Sequence, residues 1–241
     1  MIIDCHTHLL PGIDDGAKDL STSLEMLKEE KKQGVDYVIA TPHFYANRDK
    51  MEKFIDRRER AYSEVLASLG LDDAERLNEE IPGIKLGAEV AFFNGISKAE
   101  DIERLCVEGT KTLLVEMPFN SWDDKVIEEI SDLSHERNLD IVIVHIERFI
   151  GFPGNEDKVG KLLDIPVVLQ MNAECLIEKG LFKGKKAKKL IEYIESGKVL
   201  LLGSDCHSMG TRKPNLLSGR EMLSKEALDR IDEVSKEIFG L

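Results

Sequence analysis

The pattern that decides the fold is clearest in five consecutive residues, Ile141-Val142-Ile143-Val144-His145, where an unbroken apolar run ends in a histidine. A parallel strand that is covered on both faces requires such a run, whereas a half-exposed strand alternates apolar and polar residues. Similar short runs, two of them weaker, occur at Ile2-Ile3, Val38-Ile39-Ala40, Ile84 to Ala88, Leu113-Leu114-Val115, Val167-Val168-Leu169 and Val199-Leu200-Leu201-Leu202. The sequence therefore predicts seven buried parallel strands.

Amphipathic stretches lie between the predicted strands and indicate helices. A capping box is predicted from Thr22 to Glu25 in the first helix, and Gly34 and Gly197 stand just before a strand, where helix C-caps belong. A closing helix is predicted from about Ser224 to Phe239. Seven β-α units in succession imply either a closed barrel or a doubly wound sheet.

No internal repeat, low-complexity tract or linker interrupts this alternation, but two polar segments need an interpretation of their own. We interpret Leu71 to Pro82 as part of a long connection between the second helix and the third strand. The lysine-rich run from Lys183 to Lys189 is more typical of a solvated helix start than of an anion site.

Length, charge and cysteine content narrow the class of protein. The 241 residues fit one α/β domain, which we expect to span residues 1–241. With 33 basic and 46 acidic residues the net charge is −13, and a field of that sign repels nucleic acid and anionic lipid. No apolar run is long enough to span a membrane, and the N-terminus lacks the features of a signal peptide. The four cysteines form no CxxC pair, which favours reduced thiols and a cytoplasmic protein.

Metal-binding side chains recur at the C-terminal ends of the predicted strands. They are His6 and His8 after strand 1, His43 after strand 2, Glu89 after strand 3, Glu116 after strand 4, His145 after strand 5, and Asp205 and His207 after strand 7. Of the six histidines, only His135 is predicted to lie on a helix, at the surface. The strand C-termini of a parallel barrel converge on one face, and neutral imidazoles mixed with carboxylates form a cation site. Any one of these histidines is as well explained by core packing, but the set predicts a metal centre.

Other residues near these strand ends have two readings. Asp14 and Asp15 precede a glycine, which is typical of a turn, but either carboxylate would supply another oxygen ligand. Cys5 and Cys206 flank histidines, which would suit zinc, but strand alternation points each cysteine away from the neighbouring histidine and favours a small core residue.

Two arginines are predicted on the same rim as the metal ligands. Arg148 follows His145, and Arg212 lies in the loop after His207. A guanidinium fork fits phosphate oxygens, although a surface salt bridge explains each arginine equally well. Four aromatic residues beyond strands 2 and 4 are either the wall of an aromatic pocket or ordinary packing: Phe44, Tyr45, Phe119 and Trp122.

Six motifs occur in order between residues 4 and 207. They are Asp4-Cys5-His6-Thr7-His8 with Gly12-Ile13-Asp14-Asp15-Gly16, Ala40-Thr41-Pro42-His43, Gly87-Ala88-Glu89, Val115-Glu116-Met117-Pro118-Phe119, His145-Ile146-Glu147-Arg148 and Ser204-Asp205-Cys206-His207. Together they resemble the PHP (polymerase and histidinol phosphatase) superfamily. Within it they are most similar to the CpsB/CapC type, the manganese-dependent protein-tyrosine phosphatases of bacterial capsular and exopolysaccharide systems. The resemblance implies a distorted (βα)7 TIM-like barrel, the PHP fold.

The resemblance also implies three divalent metal ions, and it places Arg148 and Arg212 as catalytic residues. The expected metal is Mn²⁺, while Fe²⁺ or Zn²⁺ also suits imidazole and carboxylate donors. One site would use His6, His8, Glu89 and Asp205; a second would share Glu89 and add Glu116 and His145; the third would use Asp15, His43 and His207. Asp15 is preferred to Asp14 on the motif alignment alone.

These residues predict phosphomonoester hydrolysis. We expect a metal-bridged water of lowered pKa to attack phosphorus in line, while Arg148 and Arg212 neutralise charge on the phosphate oxygens. Four carboxylate ligands against three divalent ions leave a charge of about +2, which suits a phosphate dianion. The expected partner is a phosphotyrosine protein, and the resemblance implies the tail of a bacterial tyrosine kinase.

Four alternatives remain open at this point. A small-molecule phosphatase such as histidinol phosphatase would share the fold and the metals. An amidohydrolase shares the HxH motif, but usually has a longer chain and a bridging lysine where this sequence has Glu89 and Glu116. A nucleic-acid accessory domain is opposed by the acidic charge, and a non-catalytic metal scaffold by the complete ligand set.

Overall fold

Parallel strands form the centre of the computed structural model, which describes residues 1–69, 80–177 and 181–241. In these residues the strands are β1 (Ile3–Thr7), β2 (Tyr37–Ala40), β3 (His43–Phe44), β4 (Gly83–Leu86), β5 (Glu89–Ala91), β6 (Thr112–Glu116), β7 (Asp140–Val144), β8 (Val167–Asn172) and β9 (Leu201–Gly203). Every pair of neighbouring strands is parallel. Most of the predicted connection from Leu71 to Pro82 lies outside the described residues.

Helices connect most of these strands. They are α1 (Leu20–Lys32), α2 (Met51–Leu69), α3 (Asp124–His135), α4 (Glu156–Leu163), α5 (Leu181–Glu195), α6 (Leu216–Arg220) and α7 (Lys225–Phe239). The predicted closing helix is therefore confirmed as α7. Across the described ranges, we find no helix with the length and apolar character needed to cross a bilayer.

The ends of the helices test the local predictions. The predicted capping box from Thr22 to Glu25 is wrong, because α1 begins after Asp19, whose carboxylate accepts a hydrogen bond from the Thr22 backbone N–H at 2.8 Å. Gly34 and Gly197 do end helices, with φ of 81° and 75°, a conformation that costs glycine little. On α5, the described lysines 185, 186, 188 and 189 are exposed, so the interpretation of that run as a solvated helix is confirmed.

The strands form two sheets, one in the order β1-β2-β4 and the other in the order β3-β5-β6-β7-β8-β9. The predicted second and third strands are found as β2 and β4, and each is followed, after a gap of two residues, by a short strand of the other sheet, β3 and β5. Pro42, between β2 and β3, has no N–H to donate, and between β4 and β5 the Gly87 carbonyl accepts from Arg58 Nη1 at 2.9 Å. The hydrogen bond from Gly87 N to Ala40 O, 2.8 Å long, links the two interrupted segments.

The last strand returns to the first. Thr7 and Cys206 form a parallel bridge, and Asp205 N donates to His6 O at 2.9 Å. The described strands thus form two sheets joined by one bridge, not a single continuous ladder. The α/β class is confirmed, and closure into a (βα)7 barrel stays a prediction.

Both faces of the central strands are buried, as the unbroken apolar runs predicted. In β6, Leu114 belongs to one buried cluster, while Leu113 and Val115 belong to another. Because side chains alternate along a strand, these clusters lie on opposite faces of the sheet. Cys5 and Cys206 are fully buried, which agrees with their predicted place in the core.

Candidate metal centre

The nine predicted metal ligands lie together although they are spread over two hundred positions of the sequence. His6 lies in β1 and His8 follows it; His43 begins β3, Glu89 begins β5 and Glu116 ends β6; His145 follows β7, and Asp205 and His207 follow β9; Asp15 comes from the loop before α1. Parallel strands bring their C-terminal ends to one edge, so residues distant in sequence become neighbours. His135, on α3, is exposed and hydrogen-bonded to Ser131, as expected of a surface residue.

Glu89 is the central residue of this cluster and is completely buried. Its Oε2 lies 3.2 Å from His6 Nε2 and 3.2 Å from His8 Nε2, and its Oε1 lies 2.9 Å from His145 Nε2. Burial favours the neutral acid, but the imidazoles of His6 and His145 hold the pKa of Glu89 well below its usual range. An ionised carboxylate that reaches several histidines is suited to bridging cations.

Asp205 is a second carboxylate that contacts the histidines of this cluster. Its Oδ1 lies 3.5 Å from His8 Nε2 and 3.6 Å from His207 Nδ1. Its Oδ2 accepts hydrogen bonds from Arg212 Nη2 at 2.6 Å and from Asn172 Nδ2 at 2.8 Å. One oxygen is therefore held by neighbouring side chains while the other faces the histidines.

The two adjacent aspartates have different surroundings. Asp15 is 64% exposed, and its Oδ1 lies 3.4 Å from His43 Nε2 and 3.5 Å from His207 Nε2. Asp14 points to the far side of His8, whose Nδ1 it contacts at 2.8 Å. Although burial opposes it, that contact lowers the pKa of Asp14 to about 2. Asp15 is thus the aspartate whose carboxylate meets His43 and His207, and Asp14 orients His8.

The donor atoms fall into four overlapping groups, in each of which all ligand atoms lie within 4.8 Å of one another. The groups are His8 with Asp15, His43 and His207; His6 with His8 and Asp205; His6 with Glu89 and His145; and His43 with Glu89 and Glu116. His145 and Glu116, expected at one site, each group with Glu89 but not with each other. The division of these ligands among three ions therefore stays a prediction.

Unpartnered polar atoms test whether these residues fit a metal. Within the described residues, buried His207 Nε2 and Asp205 Oδ1 have no hydrogen-bond partner, and a buried acceptor without a partner is costly. The Nε2 atoms of His6 and His8 lie 3.0 Å apart, and at most one of them can donate to the other. Cations placed among these lone pairs would satisfy them, so the donor set fits divalent metal.

The protonation of the histidines also bears on this fit. Burial lowers the pKa of His6 and of His207 to about 4, so both imidazoles are neutral near pH 7, the form that binds metal. Burial opposes protonation of His8 as well, but Asp14 and Glu89 raise its pKa to about 10. A cation bound to His8 would take the place of that proton.

Asn172 is a site residue that the sequence analysis missed. Its Oδ1 lies 2.8 Å from His145 Nδ1, and its Nδ2 donates to Asp205 Oδ2 at 2.8 Å. Because the Asn172 oxygen accepts a hydrogen bond from the His145 Nδ1–H, the Nε2 lone pair of His145 is left facing Glu89. Asn172 ends β8, so the strand-end rule that identified the other residues applies to it too.

The backbone is strained at two of the candidate ligands. His145 and Asp205 have φ of 57° and 53°, in the left-handed region that few residues other than glycine adopt. Each stands where a strand gives way to a loop. This conformation turns the side chain toward the cluster, at a cost in backbone energy.

Both predicted arginines reach the cluster. Arg148 Nη1 donates to Glu116 Oε1 at 2.9 Å, and its Nη2 lies 3.5 Å from Asp205 Oδ2. Arg212 contacts the same Asp205 oxygen, and its Nη1 lies 3.9 Å from Asp15 Oδ2. The side chains of Arg148 and Arg212 are 29% and 37% exposed, so both remain partly accessible from solvent.

The four aromatic residues near the rim differ in burial. Phe44 and Trp122 are each 3% exposed and belong to the core, which is the commoner of the two outcomes considered. Tyr45 is half-buried and lies against His43, with the ring centroids 5.3 Å apart. Phe119 is 63% exposed.

Solved structures of similar fold support the architecture. The match to crystal structures of YwqE from Bacillus subtilis and CpsB from Streptococcus pneumoniae, described as unique metal-dependent tyrosine phosphatases, has a TM-score of 0.76 at 19% identity. It covers 99% of this chain and 94% of the other. The phosphotriesterase homology protein from Escherichia coli, with phosphate in its active site, matches at a TM-score of 0.55 and 12% identity, over 99% of this chain and 98% of that one.

Sequence comparison identifies relatives over almost the same length. The tyrosine-protein phosphatase CpsB of Streptococcus agalactiae serotype V is 26% identical over 232 residues, which cover 93% of this chain and 90% of that protein. The tyrosine-protein phosphatase YwqE of Bacillus subtilis is 28% identical over 235 residues, or 93% and 85% of the two chains. Residues 2–239 match the family described as capsular polysaccharide synthesis, CpsB/CapC. Because this match spans nearly the whole sequence, the chain belongs to the CpsB/CapC family.

Proposed function

We propose that this chain is a metal-dependent tyrosine-protein phosphatase, with residues 1–241 forming one catalytic domain. The observation that carries the proposal is the convergence of five histidines and four carboxylates on one rim, beside two accessible arginines. The relatives named above are tyrosine-protein phosphatases. The bridge between Thr7 of β1 and Cys206, just after β9, supports a distorted (βα)7 barrel that opens at this rim.

The donor set is suited to three divalent ions, for which we propose Mn²⁺. His6, His8, Glu89 and Asp205 would hold one ion, Glu89 with Glu116 and His145 a second, and Asp15 with His43 and His207 the third. When bound, the ions would supply a water of lowered pKa and neutralise negative charge on the phosphate. Mixed imidazole and carboxylate donors favour Mn²⁺ and Fe²⁺, and Zn²⁺ is also compatible with them.

The protein's own contribution is to bind and orient the phosphate. Arg148 and Arg212 both contact Asp205 Oδ2, and their planar forks match phosphate oxygens. A phosphate at this position would receive hydrogen bonds from both arginines. These bonds would strengthen as charge grows on the equatorial oxygens in the transition state.

We propose phosphotyrosine proteins as substrates, including the phosphorylated tail of a bacterial tyrosine kinase that acts in capsular or exopolysaccharide synthesis. The family description and the names of the relatives support tyrosine phosphate over histidinol phosphate. In addition, a phenol of pKa ~10 leaves more easily than an alcohol, so less proton donation is needed.

The test compares two substrates on one preparation. Chelated protein should have no phosphatase activity, and Mn²⁺ should restore it, with a phosphotyrosine peptide hydrolysed far faster than histidinol phosphate. Arg148→Ala should lose most of this activity while keeping its metal. A preference for histidinol phosphate would overturn the substrate class, and activity that resists the chelator would overturn the metal dependence.

A further inference from the structure

Phe119 is unusual among the large apolar residues of the described chain. At 63% exposure it is the most exposed of them, and it lies three positions after Glu116, at the end of β6. Apolar side chains scattered on a surface need no special explanation. Phe119, however, lies on the same rim as the candidate metal centre.

The Phe119 ring packs against buried aromatic residues on one side. Its centroid lies 5.7 Å from that of Phe149, which is fully buried and packs against Trp122 at 4.8 Å. The ring therefore rests on an aromatic cluster while much of its surface stays in contact with water.

Arg148 connects this ring to the metal centre. Its guanidinium carbon lies 5.2 Å from the Phe119 centroid, within the range of a cation–π contact. The same guanidinium contacts Glu116 and Asp205. A phosphate held by Arg148 would therefore place whatever group it carries next to the Phe119 ring.

We infer that Phe119 is a specificity-determining residue, which stacks against the aromatic ring of the tyrosyl substrate. The inference rests on the proposed function and adds to it the origin of the preference for aryl over alkyl phosphates. Aromatic pairs gain roughly 0.5–1.5 kcal/mol beyond the area they bury, and phosphoserine carries no ring to stack. Of the three other aromatic residues that the sequence analysis placed near the rim, Phe44 and Trp122 are buried, and the Tyr45 ring lies under Arg48, whose guanidinium carbon is 4.8 Å from the ring centroid.

Paired phosphonate inhibitors test this role separately from turnover. With the Mn²⁺-loaded full chain, Phe119→Ala should raise the inhibition constant of phenylphosphonate about tenfold and leave that of methylphosphonate nearly unchanged. Phe119→Trp should restore tight phenylphosphonate binding. For a phosphotyrosine peptide, the loss in Phe119→Ala should fall on KM more than on kcat.

Met222→Ala removes another exposed apolar side chain, 47% exposed and outside the ligand set, and should change neither inhibition constant. Equal weakening of both phosphonates in Phe119→Ala would mean that the ring only supports Arg148, and would overturn the inference. So would unchanged phenylphosphonate binding. If the wild-type protein binds phenylphosphonate through Phe119 but does not hydrolyse phosphotyrosine peptides, the proposed function fails while the ring contact stands.

Discussion

Asn172 holds two candidate metal ligands at once, His145 through its oxygen and Asp205 through its nitrogen. Gln170 Nε2 also donates to the Asn172 oxygen, at 3.2 Å. Groups that orient metal-binding histidines in this way typically change metal affinity 10- to 100-fold when they are removed. The geometry of the proposed site therefore depends on a residue that would not itself touch an ion.

We predict that Asn172→Leu weakens Mn²⁺ binding by about 10- to 100-fold. Leucine neither accepts from His145 Nδ1 nor donates to Asp205, so both ligands lose their orientation. Titration of the metal-free protein in competition with a chelator measures the effect directly. Asn94→Leu, at an exposed asparagine outside the ligand set, is the matched control. Unchanged affinity in Asn172→Leu would show that the amide does not position the ligands.

The arginines make a different prediction. Arg148→Ala and Arg212→Ala should each lower kcat by about 10²- to 10³-fold, because a donor to the developing phosphate charge is lost. Bound metal, measured by elemental analysis, should stay at the wild-type level. Arg60→Ala, at an exposed arginine of α2, should have no effect. A parallel loss of metal and activity would assign the arginines to holding Asp205 rather than phosphate.

Residue types that bind metal directly could be identified from the sequence because they recur at strand ends. Asn172 also ends a strand, but it was missed because an amide is not a typical member of an imidazole and carboxylate set. Asp14 and Asp15 were indistinguishable by spacing. Only the fold shows that one carboxylate turns to His8 Nδ1 and the other toward His43 and His207.

At the scale of the elements, the close packing of β9 against β1 fixes the position of His6. A Cβ added to Gly203 would lie 2.7 Å from the His6 Cβ and 2.9 Å from Gln170 Nε2. Real carbon atoms do not approach so closely. Glycine is therefore what lets the last strand lie beside the first at His6, within β1.

Gly203→Ala should accordingly lower the free energy of unfolding by about 1–3 kcal/mol and weaken metal binding as His6 is displaced. Urea denaturation and metal titration report the two effects. Gly160→Ala is the contrasting variant, because a Cβ at this position in α4 meets no atom within 4 Å. It should raise stability by about 0.5–1 kcal/mol and leave metal binding alone. If Gly203→Ala is as stable as wild type, the packing of β9 on β1 is looser than described.

Unbroken apolar runs were sufficient to locate the strands, because burial on both faces removes any polar alternation. They could not show that two predicted strands would each be followed by a short strand of the other sheet. That arrangement depends on the missing N–H of Pro42 and on the bond between Arg58 and the Gly87 carbonyl, and the latter is a contact between distant elements. Likewise, the choice of Asp19 over Thr22 as helix N-cap depends on the local backbone path.

For the molecule as a whole, bound metal should contribute to stability as well as to chemistry. The cluster joins residues from both ends of the chain, from His6 to His207, so ions there would link the first strand to the last. A ligand that binds only the folded state stabilises it by about 2.7 kcal/mol when its concentration is 100 times its Kd. Mn²⁺ should therefore raise the Tm of the metal-free protein.

His8→Ala should abolish most of that rise, because His8 belongs to two of the four donor groups. Scanning calorimetry with and without Mn²⁺ measures the rise in Tm for each variant. His135→Ala, at the exposed histidine of α3, should keep the full response. An equal rise in Tm for wild type and His8→Ala would place the bound metal elsewhere on this acidic surface.

The central claim is that nine side chains gather divalent ions at the rim formed by the strand ends. Anomalous diffraction from Mn²⁺-loaded crystals, recorded at the manganese absorption edge, tests it most directly. We predict three strong peaks among these residues, with Glu89 reaching two of them. Peaks absent from this cluster, or bound by other residues, would contradict the account.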